Sequence, residues 1–181
     1  LVLACMILLY PMLVIKMLFF GKKRPELILS ERTLNDPGML GMILAALVLL
    51  IAGTPLVIVG TTVMGALYGI IPMSMASWAT EPVVFQYAFF IFAHNLMEAM
   101  ALMVMSAMYA TLPLYLADGT RKLFSNKLAN LALWILLVTS VTSFLHHFIT
   151  LYPNQPSMLS YWGNIMSWGT GIGAALSIFT I

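Results

Sequence analysis

The residues of this sequence that could do chemistry are a few ionisable side chains inside long apolar runs. His94 and Glu98 lie four residues apart in FAHNLMEAM, and His146 and His147 are adjacent in TSFLHHFITLYP. Residues at i and i+4 share one face of a helix, so the imidazole of His94 and the carboxylate of Glu98 would be neighbours. Ionisable side chains deep in a membrane helix face the interior of the bundle and are commonly functional.

Three histidines and a carboxylate are a donor set for a metal ion. Imidazole donors suit copper, iron or zinc, whereas magnesium and calcium prefer oxygen ligands. We predict that His94, His146 and His147 bind one ion, with Glu98 as the fourth ligand or as a proton donor. The alternative is a metal-free polar cluster in which His94 hydrogen-bonds Glu98, and the pair relays protons or holds helices together.

The composition defines the class of protein in which these residues lie. The chain has 181 residues, of which 62% are hydrophobic and 8% are charged, and its mean hydropathy is +1.01. Soluble domains carry roughly 25% charged residues. Only helices or closed barrels satisfy the backbone in lipid, and no period-two alternation is present. We therefore predict an all-α, polytopic transmembrane helix bundle, and we expect no nucleic-acid partner.

Hydropathy divides residues 1–181, read as one transmembrane domain, into five helical segments. Several apolar runs reach the ~20 residues that cross a bilayer. Leu1 and Ile181 both lie in apolar runs, so we expect an incomplete portion of a longer chain whose bundle is larger. The predicted segments are Leu1 to Phe20, Met39 to Ile70, Val83 to Leu116, Leu128 to Tyr152 and Met158 to Ile181.

The basic residues predict how these segments are oriented in the membrane. Lysine and arginine follow the first and third segments, and the loops after the second and fourth contain neither. By the positive-inside rule, the loops at about 21–38 and 117–128 face the cytoplasm. The third and fourth helices are then antiparallel neighbours. At 1.5 Å per residue, His94 lies about 16 Å from the outer end of its helix, so all three histidines can meet in the outer half of the bilayer.

The histidine pattern resembles that of the heme-copper oxidase superfamily, which includes oxygen reductases and nitric oxide reductases. In that superfamily, one histidine on the sixth helix and an adjacent pair on the seventh hold a copper or a non-heme iron opposite a heme iron. His94, His146 and His147 match that pattern in order, spacing and predicted topology. The stretches YATLPLYLADGTRKLFSNKLANLA, HHF and PNQPS look most like B-type oxygen reductases. The resemblance is clear over about residues 85–181.

One position departs from the oxygen reductases. They usually carry a proline after the first histidine and a tyrosine four residues on, whereas this chain has Asn95 and Glu98. A glutamate at that offset resembles nitric oxide reductases, where it lies beside or binds the non-heme metal. The resemblance thus implies reduction of nitric oxide to nitrous oxide. One alternative is a B-type oxygen reductase with proton translocation. In such an enzyme Tyr87 could supply the phenol, whereas Tyr109 lies too far along the helix to reach the metal. The other alternative is a non-catalytic membrane bundle.

The resemblance also implies cofactors and partners. It predicts copper or non-heme iron together with heme, and no histidine of this chain remains for heme once three bind the metal. The heme ligands would then belong to the remainder of the catalytic chain or to another subunit. The electron donor would be cytochrome c, a cupredoxin or a quinol, and the location a prokaryotic cytoplasmic membrane.

The resemblance finally implies a proton path. In the family, the eighth helix contributes to a route from the cytoplasm, so Ser167, Thr170 and Ser177 are candidate relay positions. The alternative is that these hydroxyls make ordinary contacts between helices.

Overall fold

The part of the chain that the structure describes contains five long helices. The structure is a computed structural model that describes residues 2–20, 34–115, 122–147 and 158–181. No strand occurs in these ranges, which confirms the predicted all-α class. The helices are α1 (Val2–Phe20), α2 (Pro37–Leu67), α3 (Pro82–Thr111), α4 (Asn126–Ser143) and α5 (Met158–Phe179). Short turns Met73–Ala76 and Ser77–Thr80 join α2 to α3, and 3₁₀ turns follow α3 at Leu112–Leu114 and α4 at Phe144–His147.

The described helices have the length and composition of membrane spans. Pro37–Leu67, Pro82–Leu114 and Asn126–His147 are each long and apolar enough to cross a bilayer. Large apolar side chains also point outward, among them Met97 at 68% exposed and Val138 at 62%. Helices that are apolar all round belong in lipid or inside a larger bundle. The prediction of a membrane helix bundle is therefore confirmed.

The fourth segment differs from the prediction at its C-terminal end. We expected one helix from Leu128 to Tyr152, but the α-helix ends at Ser143 and a 3₁₀ turn carries the histidine pair. Successive side chains diverge by about 120° in a 3₁₀ helix, compared with about 100° in an α-helix. Residues 148–152 of that prediction lie outside the described residues, as do 21–33 and 117–121 of the predicted cytoplasmic loops.

The helices pack in two main pairs. Helix α2 packs along α3, and α4 packs along α5, while α2 also contacts α1 and α4. Glycine permits the close approach of the first pair, because Gly41 leaves no side chain between α2 and Ser106 of α3. The Ser106 hydroxyl donates a hydrogen bond to the carbonyl of Gly38 across this contact. Large residues that are almost fully buried in the core between α2, α3 and α4 include Leu40, Leu44, Leu102, Leu133 and Leu136.

This contact generates a prediction about stability. In Gly41→Ala, the added Cβ would lie 2.8 Å from Cβ of Ser106 and 3.2 Å from the carbonyl oxygen of Leu102. Neither atom can rotate away, so we expect a destabilisation of about 1–3 kcal/mol from overpacking. The measurement is the thermal unfolding of the detergent-solubilised protein.

The control for this change lies on the same helix. A Cβ at Gly60 meets nothing within 4 Å, and alanine is the better helix former. Gly60→Ala should therefore unfold at or above the wild-type temperature. Equal unfolding temperatures for the two variants would contradict the assigned contact.

Candidate metal centre

The three histidines of the sequence lie together in one cluster. Helix α3 contributes His94, and the 3₁₀ turn after α4 contributes His146 and His147. One ring nitrogen from each lies within 4.8 Å of the others, and all three side chains are half-buried. The ring centroids are 5.0 Å apart for His94 and His146, 5.6 Å for His94 and His147, and 4.3 Å within the adjacent pair. This set of nitrogen donors can hold copper, iron or zinc.

Neighbouring side chains orient the three rings. The Ser143 hydroxyl lies 3.3 Å from Nδ1 of His94, and the Ser167 hydroxyl lies 3.2 Å from Nδ1 of His146. The ring of Phe90 stacks on that of His147, with centroids 4.5 Å apart and planes 6° from parallel. Partners that engage one nitrogen of an imidazole set the direction of the other, which is how metal-binding histidines are commonly oriented.

Helix α5 approaches the histidine turn at a glycine. A Cβ on Gly163 would overlap the backbone nitrogen of His146 and would lie 2.9 Å from Cβ of Leu145. Only a residue without a side chain allows the two backbones to meet here. The position of the histidine pair therefore depends on α5 as well as on α4.

Glu98 lies beside this cluster but outside the group of three nitrogens. Its carboxylate is half-buried one turn after His94 on α3 and is not a member of the set of atoms within 4.8 Å. The hydrogen bond between His94 and Glu98, expected for a metal-free polar cluster, is not formed in the described part of the chain. Next to His94, the side chain of Asn95 is 1% exposed and its Nδ2 donates to the carbonyl of Ile91 at 2.9 Å.

The candidate relay hydroxyls lie along one side of α5. Ser167 reaches the cluster through His146, as described above. Thr170 donates to Oγ1 of Thr139 at 3.1 Å. Ser177 is fully buried and donates to the carbonyl of Gly173, and its own carbonyl accepts from the Tyr109 hydroxyl at 3.1 Å. Tyr109 is thereby engaged near the end of α5, away from the cluster, as its distance along α3 predicted.

Sequence reasoning missed three parts of this site. Phe90 is one turn before His94, a spacing that could have indicated a ring neighbour for the cluster. Ser143 and Gly163 act across helix contacts, and nothing in their local sequence distinguishes them from other small residues. Ser167 was predicted as a relay position, and the structure adds its contact with His146.

The described helices form a membrane bundle that gathers three histidines around one point, an arrangement that can hold a metal ion. The family model described as cytochrome c and quinol oxidase polypeptide I matches residues 1–181, and the chain belongs to this family. The match confirms the resemblance to the heme-copper oxidase superfamily and extends it beyond residues 85–181. A search of curated proteins and a search of solved structures gave no match.

Family membership defines the general activity. The chain is an integral membrane component of a heme-copper oxidase-type reductase, whose family works with other subunits and binds heme together with copper or another non-heme metal. The histidine cluster supplies donors of the right type for the non-heme metal. All three histidines of the sequence lie in that cluster.

The close approach of α5 generates a prediction about metal binding. In Gly163→Ala, the added methyl group would push the 3₁₀ turn away from α5 and displace His146 and His147 from His94. We expect the purified protein to retain far less copper or iron than the wild type, measured by elemental analysis.

A second glycine of the same helix provides the control. A Cβ at Gly171 meets nothing within 4 Å, so Gly171→Ala should keep the wild-type metal content. A Gly163→Ala protein with unchanged metal content would show that the turn does not need this contact.

Proposed function

We propose that this chain is part of the catalytic subunit of a nitric oxide reductase, which converts two molecules of nitric oxide to nitrous oxide and water by 2 NO + 2 H⁺ + 2 e⁻ → N₂O + H₂O. The observation that carries the proposal is the pairing of the three-histidine cluster with Glu98, one turn from His94, in a chain of this family. Oxygen reductases usually have a tyrosine at the position of Glu98.

The cluster would hold a copper or a non-heme iron through His94, His146 and His147. When bound, the metal would supply a redox-active Lewis acid for nitric oxide. The chain's own contribution is to present three imidazoles whose rings are held by Ser143, Ser167 and Phe90. The heme ligands would lie outside this sequence, in the remainder of the catalytic chain or in another subunit.

Glu98 would act as the fourth ligand or as the proton donor of this centre. A carboxylate can bind a hard metal ion and can also hold and release a proton, whereas it cannot donate the phenolic hydrogen atom that a tyrosine supplies for cleavage of the O–O bond. Reduction of nitric oxide needs protons and no such hydrogen atom. The chemistry of Glu98 therefore favours nitric oxide over oxygen as the substrate.

A B-type oxygen reductase with proton translocation is the second candidate. It is favoured by the stretch YATLPLYLADGTRKLFSNKLANLA and by HHF, which look like that branch. Such an enzyme would need a tyrosine at the cluster. The hydroxyl of Tyr109 is hydrogen-bonded to Ser177 and Thr180 near the end of α5. Tyr87 is half-buried on α3 and lies two turns before His94. A side chain covalently linked to a ligand histidine, detected by mass spectrometry of the digested protein, would favour this candidate.

The proposed setting follows the family and the charge pattern. Electrons would come from cytochrome c, a cupredoxin or a quinol through hemes held elsewhere in the complex. The complex would lie in a prokaryotic cytoplasmic membrane with the loops at about 21–38 and 117–128 in the cytoplasm.

Protons would travel along α5, and the hydroxyls of Ser167, Thr170 and Ser177 support this route. From Thr170 to Ser177 the helix rises about 10.5 Å, so water molecules would have to bridge the path there.

The assignment of Glu98 generates a prediction about activity. Glu98→Ala should abolish nitric oxide reduction while leaving the helical fold intact, because the carboxylate it removes forms no ion pair with the residues that the structure describes. The measurement is nitric oxide and oxygen consumption by the purified complex, together with its circular dichroism.

The matched control is the glutamate at the start of the same helix. Glu81 is exposed and precedes Pro82, and its side chain makes no capping hydrogen bond. Glu81→Ala should keep nitric oxide reduction near the wild-type rate. Full activity in Glu98→Ala would count against its role at the centre.

The metal content of the purified complex separates the enzymatic readings from a non-catalytic bundle. Elemental analysis and heme spectroscopy should find a non-heme metal and heme in the wild type. Each single replacement of His94, His146 or His147 by alanine should lower the non-heme metal and leave the heme signal in place, because the heme ligands lie elsewhere. A wild-type complex with neither metal nor heme would rule out both reductases.

A further inference from the structure

The hydroxyl of Ser167 has two neighbours and only one hydrogen atom. Its oxygen lies 2.9 Å from the carbonyl oxygen of Gly163 and 3.2 Å from Nδ1 of His146. A carbonyl can only accept a hydrogen bond, whereas a neutral imidazole can donate from one nitrogen and accept at the other. Both contacts are satisfied at once only if the hydroxyl donates to Gly163 and accepts from an N–H at Nδ1 of His146.

The two residues that engage His146 from α5 lie one turn apart. Gly163 allows the backbone of α5 to reach the backbone nitrogen of His146, and Ser167 meets the imidazole of the same residue. The bond from Ser167 to the carbonyl of Gly163 joins these two contacts. The backbone and the ring of His146 are thus held by the same short segment of α5.

We propose that Ser167 is a positioning residue that fixes the tautomer of His146, with Nδ1 protonated toward α5 and the lone pair of Nε2 free for the metal. The inference rests on the proposed metal centre for its purpose, but its geometry concerns only Ser167, Gly163 and His146. It gives Ser167 a role in addition to the proposed proton route, because a hydroxyl that donates to Gly163 orients the ring of His146 without itself passing a proton. The alternative bond, from the hydroxyl to Nδ1, would place the N–H at Nε2 and block the lone pair that a metal needs.

Helix α5 contains a second copy of this arrangement without the histidine. Ser177 donates to the carbonyl of Gly173 at 2.9 Å, the same spacing and distance as Ser167 to Gly163. Ser177 is fully buried, and its carbonyl accepts hydrogen bonds from the hydroxyls of Tyr109 and Thr180. Ser177→Ala therefore removes a hydroxyl of the same type from the same helix. It is the matched control for the tautomer of His146 and for the affinity of the cluster for metal.

The first test reads the tautomer in the metal-free protein. The full protein is labelled with ¹⁵N-histidine, its metal is removed with a chelator, and the signal of His146 is assigned from the His146→Ala variant. Nitrogen NMR should show a protonated Nδ1 and an unprotonated Nε2 in the wild type and in Ser177→Ala. Ser167→Ala should show a mixture of both tautomers, and Ser167→Thr should restore the wild-type signal. A wild-type His146 protonated at Nε2 would overturn the proposal without any variant having to fold.

The second test uses Cu²⁺ alone as the probe. Loss of a hydrogen bond to a metal-bound histidine commonly weakens metal binding about 10- to 100-fold, and we expect a loss of this size in Ser167→Ala. Ser177→Ala and Ser167→Thr should bind Cu²⁺ as the wild type does. Equal affinity in Ser167→Ala and Ser177→Ala would overturn the positioning role.

The two tests keep this inference separate from the proposed function. A wild type that binds no Cu²⁺ would reject the metal centre, whereas the tautomer measured in the metal-free protein would still decide what Ser167 does. In Cu²⁺-loaded protein, the pulsed electron paramagnetic resonance signal of the remote imidazole nitrogen should change in Ser167→Ala and stay unchanged in Ser177→Ala, because that nitrogen carries the hydrogen bond to Ser167. An unchanged signal in Ser167→Ala would contradict the bond.

Discussion

A polar group inside a bundle of apolar helices must find its hydrogen-bond partner within the protein, because the surrounding lipid offers none. A buried donor or acceptor left unpaired costs about 1–3 kcal/mol. In the histidine cluster, Ser143 meets this requirement for His94 and Ser167 meets it for His146, and each hydroxyl also donates to a backbone carbonyl. The cluster is thereby tied to α3, α4 and α5 at once, so any displacement of one helix breaks bonds that lipid cannot replace.

Much of the fold follows from composition, while the end of α4 does not. Hydropathy predicts the helices because a long apolar run has few other structures available in a membrane. The start of α2 is also visible in the sequence, since Asp36 caps the helix and Pro37 occupies its first position. In contrast, the α-helix of α4 ends at Ser143 although no proline follows before Pro153. That end coincides with the contact between the following turn and Gly163 of α5, and tertiary contacts of this kind leave no signal in the local sequence.

The candidate site also has one part that the sequence predicts and another part that depends on how the helices pack. The three histidines are predicted to meet because they lie at a similar depth in the membrane on two antiparallel neighbouring helices. Both features can be read from residue positions along the sequence. The supporting hydroxyls could not be found in that way, because some other serine hydroxyls in these helices donate only to the backbone of their own helix. Ser140 and Ser177 both donate to the carbonyl four residues earlier, as Ser167 does. What distinguishes Ser167 is the ring of His146, which comes from another helix and therefore depends on packing.

The position of Glu98 matters for the charge balance of the histidine cluster. Three neutral imidazoles leave the charge of a bound metal ion uncompensated, and a charge in a medium of low polarity needs a counter-charge nearby. Glu98 is the one acidic residue within the three described membrane spans, and it lies one turn from His94. A tyrosine at this position would bring a phenol and no charge at neutral pH, so the exchange of tyrosine for glutamate alters the charge balance of the centre as well as its chemistry. The carboxylate lies outside the group of three nitrogens and is close enough along α3 to help balance the charge of an ion held by them.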